Sequence, residues 1–187
     1  AGVEVLTMSK RIMNEVMYCA EDKNIELYYT DTDSIHMNYD DVEPLSKYFN
    51  EKYNRVLCGK QLGQFHIDFD LAGSVGDIKS IKSVFLGKKC YMDLLESKDK
   101  DGNVIYGEHL RMKGIPEASI HYTCKIRGQT PYDLYMDLYE GKEVLFDLLC
   151  GGDRVNFKYN KDFSVKSLGM GINGESEFTR TMNRIKV

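Results

Sequence analysis

The stretch "YYTDTDSIHM", residues 28–37, constrains the fold most, because it places two acids between two runs that are typical of β-strands. Residues 25–30 predict a strand, residues 31–33 a turn, and residues 34–39 the returning strand. The sequence therefore predicts a hairpin that carries two carboxylates at its tip.

Hydrophobic periodicity and turn residues predict the other elements. Helices are expected over residues 3–22, 40–53, 117–127 and 131–150, the last interrupted by Gly141. Strands are expected over residues 64–70, 80–95 (one strand or a pair), 104–115, 154–160, 163–172 and 177–187. This order predicts an α+β fold with an antiparallel sheet and packed helices, and the change from strands to helices after Pro116 predicts a domain boundary there.

Composition places the chain among globular intracellular proteins. The 187 residues are 42% hydrophobic and 29% charged, an ordinary balance for a folded domain. No run approaches the roughly 18 apolar residues of a membrane span, and the first residues do not resemble a signal peptide. No membrane partner is therefore expected. The five cysteines are odd in number, widely spaced and without a C-x-x-C pair, so we expect reduced packing residues.

Charge is distributed unevenly along the chain. Residues 1–70 carry 7 Lys and Arg against 13 Asp and Glu, whereas residues 71–187 carry 18 against 16. The net charge of −4 alone argues against a nucleic-acid partner. The asymmetry is typical of a metal site beside a phosphate-binding surface, although solvated helices produce the same counts.

The acidic tip suggests a divalent cation. Side chains alternate along a strand, so Tyr29, Asp31 and Asp33 can point the same way, where two carboxylates repel unless a cation lies between them. Mg²⁺ suits this arrangement, because one or two carboxylates plus substrate phosphates commonly hold it. The alternative is an exposed turn whose acids cap backbone amides. An EF-hand is excluded, because its sixth and twelfth positions would be His36 and Val42 instead of Gly and Glu.

Residues 29–34, Tyr-Thr-Asp-Thr-Asp-Ser, match the Tyr-x-Asp-Thr-Asp-Ser signature of the palm in family B DNA polymerases, which the chain resembles. The resemblance implies that Asp33 is a catalytic metal ligand, together with an aspartate from an earlier palm motif, and that Asp31 is a supporting acid in the metal site. The implied metal is Mg²⁺, with Mn²⁺ as a substitute. The signature residues implied near the nucleotide or primer end are Tyr29, Thr32 and Ser34.

A second family motif, Lys-x-Tyr, occurs at Lys89-Cys90-Tyr91 on a predicted strand, and in the family it holds the primer terminus. A lysine beside an aromatic residue suits contact with phosphate and with a sugar or base. The alternative is a solvent-exposed edge strand whose lysines prevent it from pairing with a strand of another chain. The segment "HLRMKGIP" resembles the passage from palm to thumb. Residues assigned to DNA binding are Lys79, Lys82, Lys88, Arg111 and Lys113.

The resemblance is closest to the protein-primed branch found in phages, linear and organellar plasmids and related viruses, and it implies a partial polymerase. Residues 1–115 resemble the C-terminal part of the palm, and residues 116–187 a short thumb with mixed helices and strands. The upstream palm motifs, the nucleotide-binding helix and the exonuclease motifs do not occur in the sequence. We therefore expect a C-terminal piece that follows an exonuclease, palm and fingers portion of the same polymerase.

The implied reaction is two-metal nucleotidyl transfer from a dNTP to a primer 3′-hydroxyl, with primer-template DNA and, in this branch, a terminal priming protein as partners. Two alternatives stay open: a nucleic-acid-binding module without catalysis, and a fragment that has neither activity alone. A metal-dependent hydrolase is disfavoured, because the four histidines are scattered along the sequence.

Overall fold

The computed structural model describes residues 2–148 in full and, beyond them, the backbone of residues 153–159, 164–170 and 177–183. The chain divides into two compact units, Ala1–Asp68 (unit 1) and Phe69–Val187 (unit 2). The described elements combine α-helices with antiparallel sheets, which confirms the α+β class.

Unit 1 contains the helix–hairpin–helix that the sequence predicts. Helix α1 spans Gly2–Asp22, strands β1 and β2 span Leu27–Asp31 and Ser34–Met37, and helix α2 spans Val42–Tyr53. A short 3-10 helix, Tyr39–Asp41, precedes α2. The helices and the hairpin share a core because each has one apolar face, and its buried members are Val16, Cys19, Ala20, Leu45, Phe49 and Leu57.

A partly buried ion pair ties α1 to the chain after α2. Glu15 is 8% exposed, accepts a hydrogen bond from Arg11 at 2.9 Å, and pairs with Arg55, whose guanidinium lies over the ring of Phe49. Burial raises the pKa of the Glu15 carboxyl, but the hydrogen bonds and charges of the two arginines outweigh burial and hold the pKa below its ordinary 4.5. The pair therefore stabilises unit 1 above about pH 4.5 and loses that contribution as pH falls through the lowered pKa.

The Arg55→Ala variant is expected to destabilise unit 1 by about 1–2 kcal/mol at pH 7. This is less than a fully buried pair loses, because Arg11 remains and Arg55 is partly exposed. The difference from wild type should shrink as pH falls through the lowered pKa of Glu15. Urea unfolding at pH 7 and at a series of pH values below 4.5 measures both effects. The exposed pair of Glu43 and Lys47 provides the control, since Lys47→Ala should change neither value; equal effects of the two variants would contradict the assignment.

Unit 2 is built on a three-stranded antiparallel sheet, in the order β3–β4–β5. Its strands span Lys79–Gly87, Cys90–Lys98 and Val104–Met112. Helices α3 and α4, Glu117–Arg127 and Pro131–Tyr139, cover one face of this sheet. Leu86, Met92, Ile120, Leu134 and Phe146 are among the most buried residues of the shared core.

A second antiparallel sheet of unit 2 follows the helices in the order β6–β7–β8–β9. Its strands span Val144–Leu148, Asp153–Tyr159, Ser164–Met170 and Glu177–Asn183. Strands β8 and β9 fall within the segments where the sequence predicts them, and β7 begins one residue before its predicted segment. The backbone register pairs Val144 with Phe157.

Two predicted elements are wrong. Residues 64–70 alternate like a strand but form only an isolated bridge between Phe65 and Cys58, because no neighbouring strand pairs with the rest of the segment. Residues 144–148 form β6 instead of extending the helix predicted to residue 150. Helix α4 ends at Tyr139, and Gly141 follows with φ of 88°, a left-handed conformation that stops the helix.

The packing bears on three further expectations. The palm–thumb boundary near residue 116 stays a prediction, and residues on both sides of it share the core of unit 2.

Cys19, Cys90 and Cys124 are buried free thiols and Cys58 is an exposed one, whereas Cys150 lies outside the described residues. Among the residues that the structure describes, no helix is long and apolar enough to cross a membrane.

Candidate metal site and nucleic-acid interface

The acidic hairpin of unit 1 turns over two residues, Thr32 and Asp33. Asp31 pairs with Ser34 across the turn, and its carbonyl accepts hydrogen bonds from the Asp33 amide at 2.6 Å and the Ser34 hydroxyl at 3.1 Å. Thr32 has φ of 53°, a left-handed conformation that is uncommon for a β-branched residue. The tip is therefore a tight turn held by contacts to one carbonyl.

The two faces of the hairpin differ in their surroundings. Ile35 and Met37 pack against the core of unit 1, and Thr30 shares this face as the cross-strand partner of Ile35. The opposite face is polar: Asp31 pairs with Ser34, and Tyr29 pairs with His36 in an edge-to-face ring contact at 5.6 Å. Tyr29 and Asp31 lie on the same face of the hairpin, as predicted. Strand alternation does not extend to Asp33, because Asp33 lies in the turn.

The two aspartates have different environments. Asp31 is half-buried, and its carboxylate accepts hydrogen bonds from the hydroxyls of Thr32 at 3.1 Å and Tyr29 at 3.4 Å. Asp33 is exposed at the tip. Asp33 is thus the more accessible carboxylate for a ligand from outside the unit, while Asp31 supplies a charge that its neighbours already fix in place.

The donors of the hairpin fit part of a magnesium site. Oxygen ligands, one or two carboxylates and open positions for phosphate oxygens are what Mg²⁺ uses. Across the described part of the chain, no group of three or more His, Cys, Asp or Glu side chains could hold a metal ion. Asp33 and Asp31 would therefore need further ligands from another segment or from substrate.

A shallow groove of about 220 Å³ lies between α1 and the hairpin of unit 1. Its polar lining comes from Lys10, Asn14, Thr30 and Thr32, and two methionines of α1 complete it. Sequence reasoning missed Lys10 and Asn14. Their spacing of four residues on α1 places them on one helical face, which could have indicated a shared surface.

In unit 2, Lys88 and Lys89 form the two-residue turn between β3 and β4, and both are exposed. Lys89 has φ of 57°, and its carbonyl accepts a hydrogen bond from the Lys113 amide at 3.0 Å. This contact, with the β4–β5 register, brings the turn beside the end of β5. A groove of about 320 Å³ results (the basic groove), lined by Lys89, Leu110, Arg111, Met112, Lys113, Ile115 and Glu117.

The structure thus brings together three predicted residues from two separate sequence motifs. Lys89 comes from the Lys-x-Tyr motif, whereas Arg111 and Lys113 come from the predicted palm–thumb passage. Three basic residues and one acid are among the residues that line the groove, in a chain of net charge −4. Such a surface favours a polyanion.

Two predicted DNA-binding lysines lie elsewhere. Lys79 pairs with Glu96 at 3.8 Å, and the Lys82 ammonium lies 4.9 Å from the ring centre of Tyr132. Both occupy the first half of β3, so the strand rise places Lys82 roughly 20 Å and Lys79 roughly 30 Å from the Lys88–Lys89 turn. These two lysines do not line the basic groove.

Tyr91 occupies β4 two residues after Lys89 and is 7% exposed. Its neighbours across the sheet are Phe85 on β3, with ring centres 6.0 Å apart, and Arg111 on β5. The ring therefore supports the surface beside Lys89 and offers only a small area for direct contact.

Helix α4 supports the basic groove from the core side. Tyr135 is fully buried and its hydroxyl donates a hydrogen bond of 2.9 Å to the carbonyl of Arg111. Burial raises the pKa of Tyr135 well above its ordinary value. The spacing of Tyr132, Tyr135 and Tyr139 in the sequence predicts a packing face of this helix; Tyr135 is buried and Tyr132 packs against the core, whereas Tyr139 is exposed. No local pattern in the sequence predicts the hydrogen bond to Arg111.

The acidic hairpin and the basic groove are the two candidate sites, one in each unit. Comparison with known proteins assigns neither of them. No protein-family model, no curated protein and no solved structure matches the chain.

Proposed function

We propose that this chain is the C-terminal part of the palm and the thumb of a family B DNA polymerase of the protein-primed branch, within a longer polypeptide. The observation that carries the proposal is the six-residue signature at residues 29–34, folded as a tight hairpin with Asp33 exposed at its tip. Supporting it, the Lys-x-Tyr motif contributes Lys89 to the basic groove.

In this proposal the hairpin carboxylates serve a metal-dependent nucleotidyl transfer. Asp33, with an aspartate from the earlier part of the polypeptide, would hold Mg²⁺, and Mn²⁺ would substitute. The bound ions supply charge stabilisation for the attacking and leaving oxygens. Asp31, fixed by Tyr29 and Thr32, keeps negative charge beside Asp33 and so favours binding of a cation there.

The basic groove would position the primer end. Lys89 is a point charge on a tight turn, suited to one phosphate of the primer. Arg111 and Lys113 on the adjacent strand would contact the duplex backbone, which fixes orientation without reading sequence. Tyr91 supports the surface beside Lys89 from within the sheet. Alignment of the primer 3′-hydroxyl with the dNTP is the contribution expected of these residues.

Single-turnover incorporation on primer-template DNA tests the proposal. The polypeptide that contains this chain and its upstream portion should extend the primer with Mg²⁺ or Mn²⁺ and should stop when a chelator removes the metal. The 187-residue chain alone should not extend the primer. Extension that persists without divalent metal, or no extension by the longer polypeptide with metal, would exclude the polymerase.

A second candidate, a nucleic-acid-binding module without catalysis, is favoured by the basic groove considered alone. Its three cations can neutralise phosphates whatever the acidic hairpin does. Such a module would bind primer-template DNA with an affinity that falls as salt rises, and Mg²⁺ would act only as a competing cation. The extension assay separates the two candidates.

The Lys89→Ala variant is expected to weaken binding of primer-template DNA by the 187-residue chain and to reduce its salt dependence. Loss of one phosphate contact lowers the slope of log affinity against log salt by about one. Fluorescence anisotropy over a salt series measures the slope. Lys79→Ala is the matched control, because it removes the same charge from a lysine that pairs with Glu96 outside the groove. Equal losses in both variants would mean that net charge, and not the basic groove, governs binding.

A further inference from the structure

A fully buried carboxylate lies on the side of the three-stranded sheet that faces away from helices α3 and α4. Asp93 is in the middle strand β4 and has no exposed surface. Burial of a carboxylate is costly unless hydrogen bonds and charges compensate it. Asp93 is not among the site residues predicted from the sequence, although an acid within the apolar run of residues 90–95 could have indicated it.

Three side chains approach the Asp93 carboxylate. The Ser83 hydroxyl donates a hydrogen bond of 2.5 Å and the Ser80 hydroxyl one of 3.2 Å, both to Oδ1. His109 Nδ1 lies 3.6 Å from Oδ2, a distance that is long for a hydrogen bond but within reach of an ion pair when His109 is protonated. The register places Ser83, Asp93 and His109 side by side on three adjacent strands.

His109 connects this carboxylate to Tyr91. The imidazole meets the Tyr91 ring edge-to-face, with centres 5.8 Å apart, and the Phe69 ring from another side at 5.5 Å. Because alternate residues share a face, the Ser83–Asp93–His109 row and the Phe85–Tyr91–Arg111 row are neighbours on one face of the sheet. The Asp93 carboxylate thus lies beside the imidazole of His109 without a hydrogen bond to it, and the packed imidazole limits the positions open to the Tyr91 ring.

An apolar residue of similar size could fill the space of Asp93 without the cost of a buried charge, so stability alone does not account for it. A polar network with fixed partners instead specifies one arrangement of the groups that touch it. Two residues before Tyr91 the chain forms the turn at Lys89, which lines the basic groove. The ring that the network holds is thus close in the chain to the proposed primer contact.

We propose that Asp93 and His109 are positioning residues that hold the Tyr91 ring, and through it the Lys89 turn, in the arrangement that selects a recessed primer 3′ end over a blunt duplex end. This inference rests on the proposed function of Lys89 and Tyr91. Asp93 lies 3.6 Å from His109 and His109 meets the Tyr91 ring, so the effect of both side chains on DNA is through Tyr91.

Two measurements on the 187-residue chain test the inference. The first is NMR of ¹³C-labelled tyrosine rings, with the Tyr91 signal identified by its loss in Tyr91→Phe. The second is the ratio of the dissociation constants for blunt and recessed-end duplexes of equal length. Asp93→Asn and His109→Gln should each move the Tyr91 ring signal and bring the ratio towards one. Affinity for blunt duplex should stay unchanged, because Arg111 and Lys113 remain.

Ser97→Ala is the matched control. Ser97 is also buried on β4, and its hydroxyl donates to the Asp77 carbonyl at 3.0 Å, away from Tyr91. It should leave the Tyr91 signal and the ratio at wild-type values. If Asp93→Asn does not fold, His109→Gln decides the question, since His109 lies at the edge of the network and its side chain is 17% exposed.

The outcomes separate this inference from the proposed function. An unmoved Tyr91 signal in a folded His109→Gln variant overturns the positioning role, whatever the DNA does. A moved signal with an unchanged preference for the recessed end also overturns it. If wild type shows no preference for the recessed end and Lys89→Ala has no effect on binding, the primer-end assignment itself fails, and the selecting role fails with it.

Discussion

The Asp33→Asn variant is expected to abolish nucleotide incorporation by the longer polypeptide while primer-template binding survives. Asparagine keeps the size and one oxygen of the side chain but removes the charge that a divalent cation requires. Positioning and charge stabilisation carry most of phosphoryl-type transfer, so the single-turnover rate with Mg²⁺ should fall by about a thousandfold or more. Asp33 is exposed in the turn, so its substitution should leave the fold intact. The loss of incorporation should therefore come from the metal site.

Two variants make this result specific. Asp40→Asn removes another exposed carboxylate a few residues after the hairpin and should leave incorporation unchanged. Asp31→Asn should reduce the rate less than Asp33→Asn, because Asp31 is assigned the supporting charge. Turnover near the wild-type rate in Asp33→Asn would remove Asp33 from the metal site. Equal losses in Asp33→Asn and Asp40→Asn would point to an effect of net charge.

The elements that the sequence predicted well depend on local information. The hairpin at residues 27–37 forms because two short strand-forming runs flank a turn, and α1 forms because its apolar residues recur at helical spacing. The failures depend on strand pairing, which the pattern within one segment does not specify. Residues 64–70 have the alternation of a strand but no neighbour to pair with, and residues 144–148 become a strand because β7 pairs with them.

The candidate sites likewise differ in whether local sequence or strand pairing brings their residues together. The acidic tip is a continuous motif, so its residues were predictable from the sequence. The basic groove joins Lys89 to Arg111 and Lys113 through the β4–β5 register, which no local pattern specifies. Lys79 and Lys82 were grouped with Lys89 because they are near in sequence, but an extended strand carries them away from it. The Asp93 network was not predictable from a local pattern, because its members come from three strands.

Alkaline pH is expected to destabilise unit 2 steeply, because three weak acids are buried there in neutral form. Burial raises the pKa of the Cys90 thiol well above 9.0, that of Cys124 to about 11, and that of Tyr135 well above 10.0. Unfolding exposes all three, so above about pH 9 the unfolded state binds fewer protons than the folded state. Stability is therefore full below pH 9 and falls as pH rises, by about 1.4 kcal/mol per pH unit for each group that ionises only on unfolding.

Cys90 alone should account for a loss of about 2–3 kcal/mol between pH 9 and pH 11, since its folded-state pKa lies above this range. Urea unfolding of the full chain, under reducing conditions at pH 8 to 11, measures the slope of unfolding free energy against pH. Cys90→Ala should make that slope shallower by one proton, although the variant is itself less stable. Val84→Ala is the matched control from the same core: it should lower stability at every pH, identify the transition of unit 2 and leave the slope unchanged. A Cys90→Ala slope equal to that of wild type would mean that the Cys90 thiol ionises in the folded unit, in conflict with its complete burial.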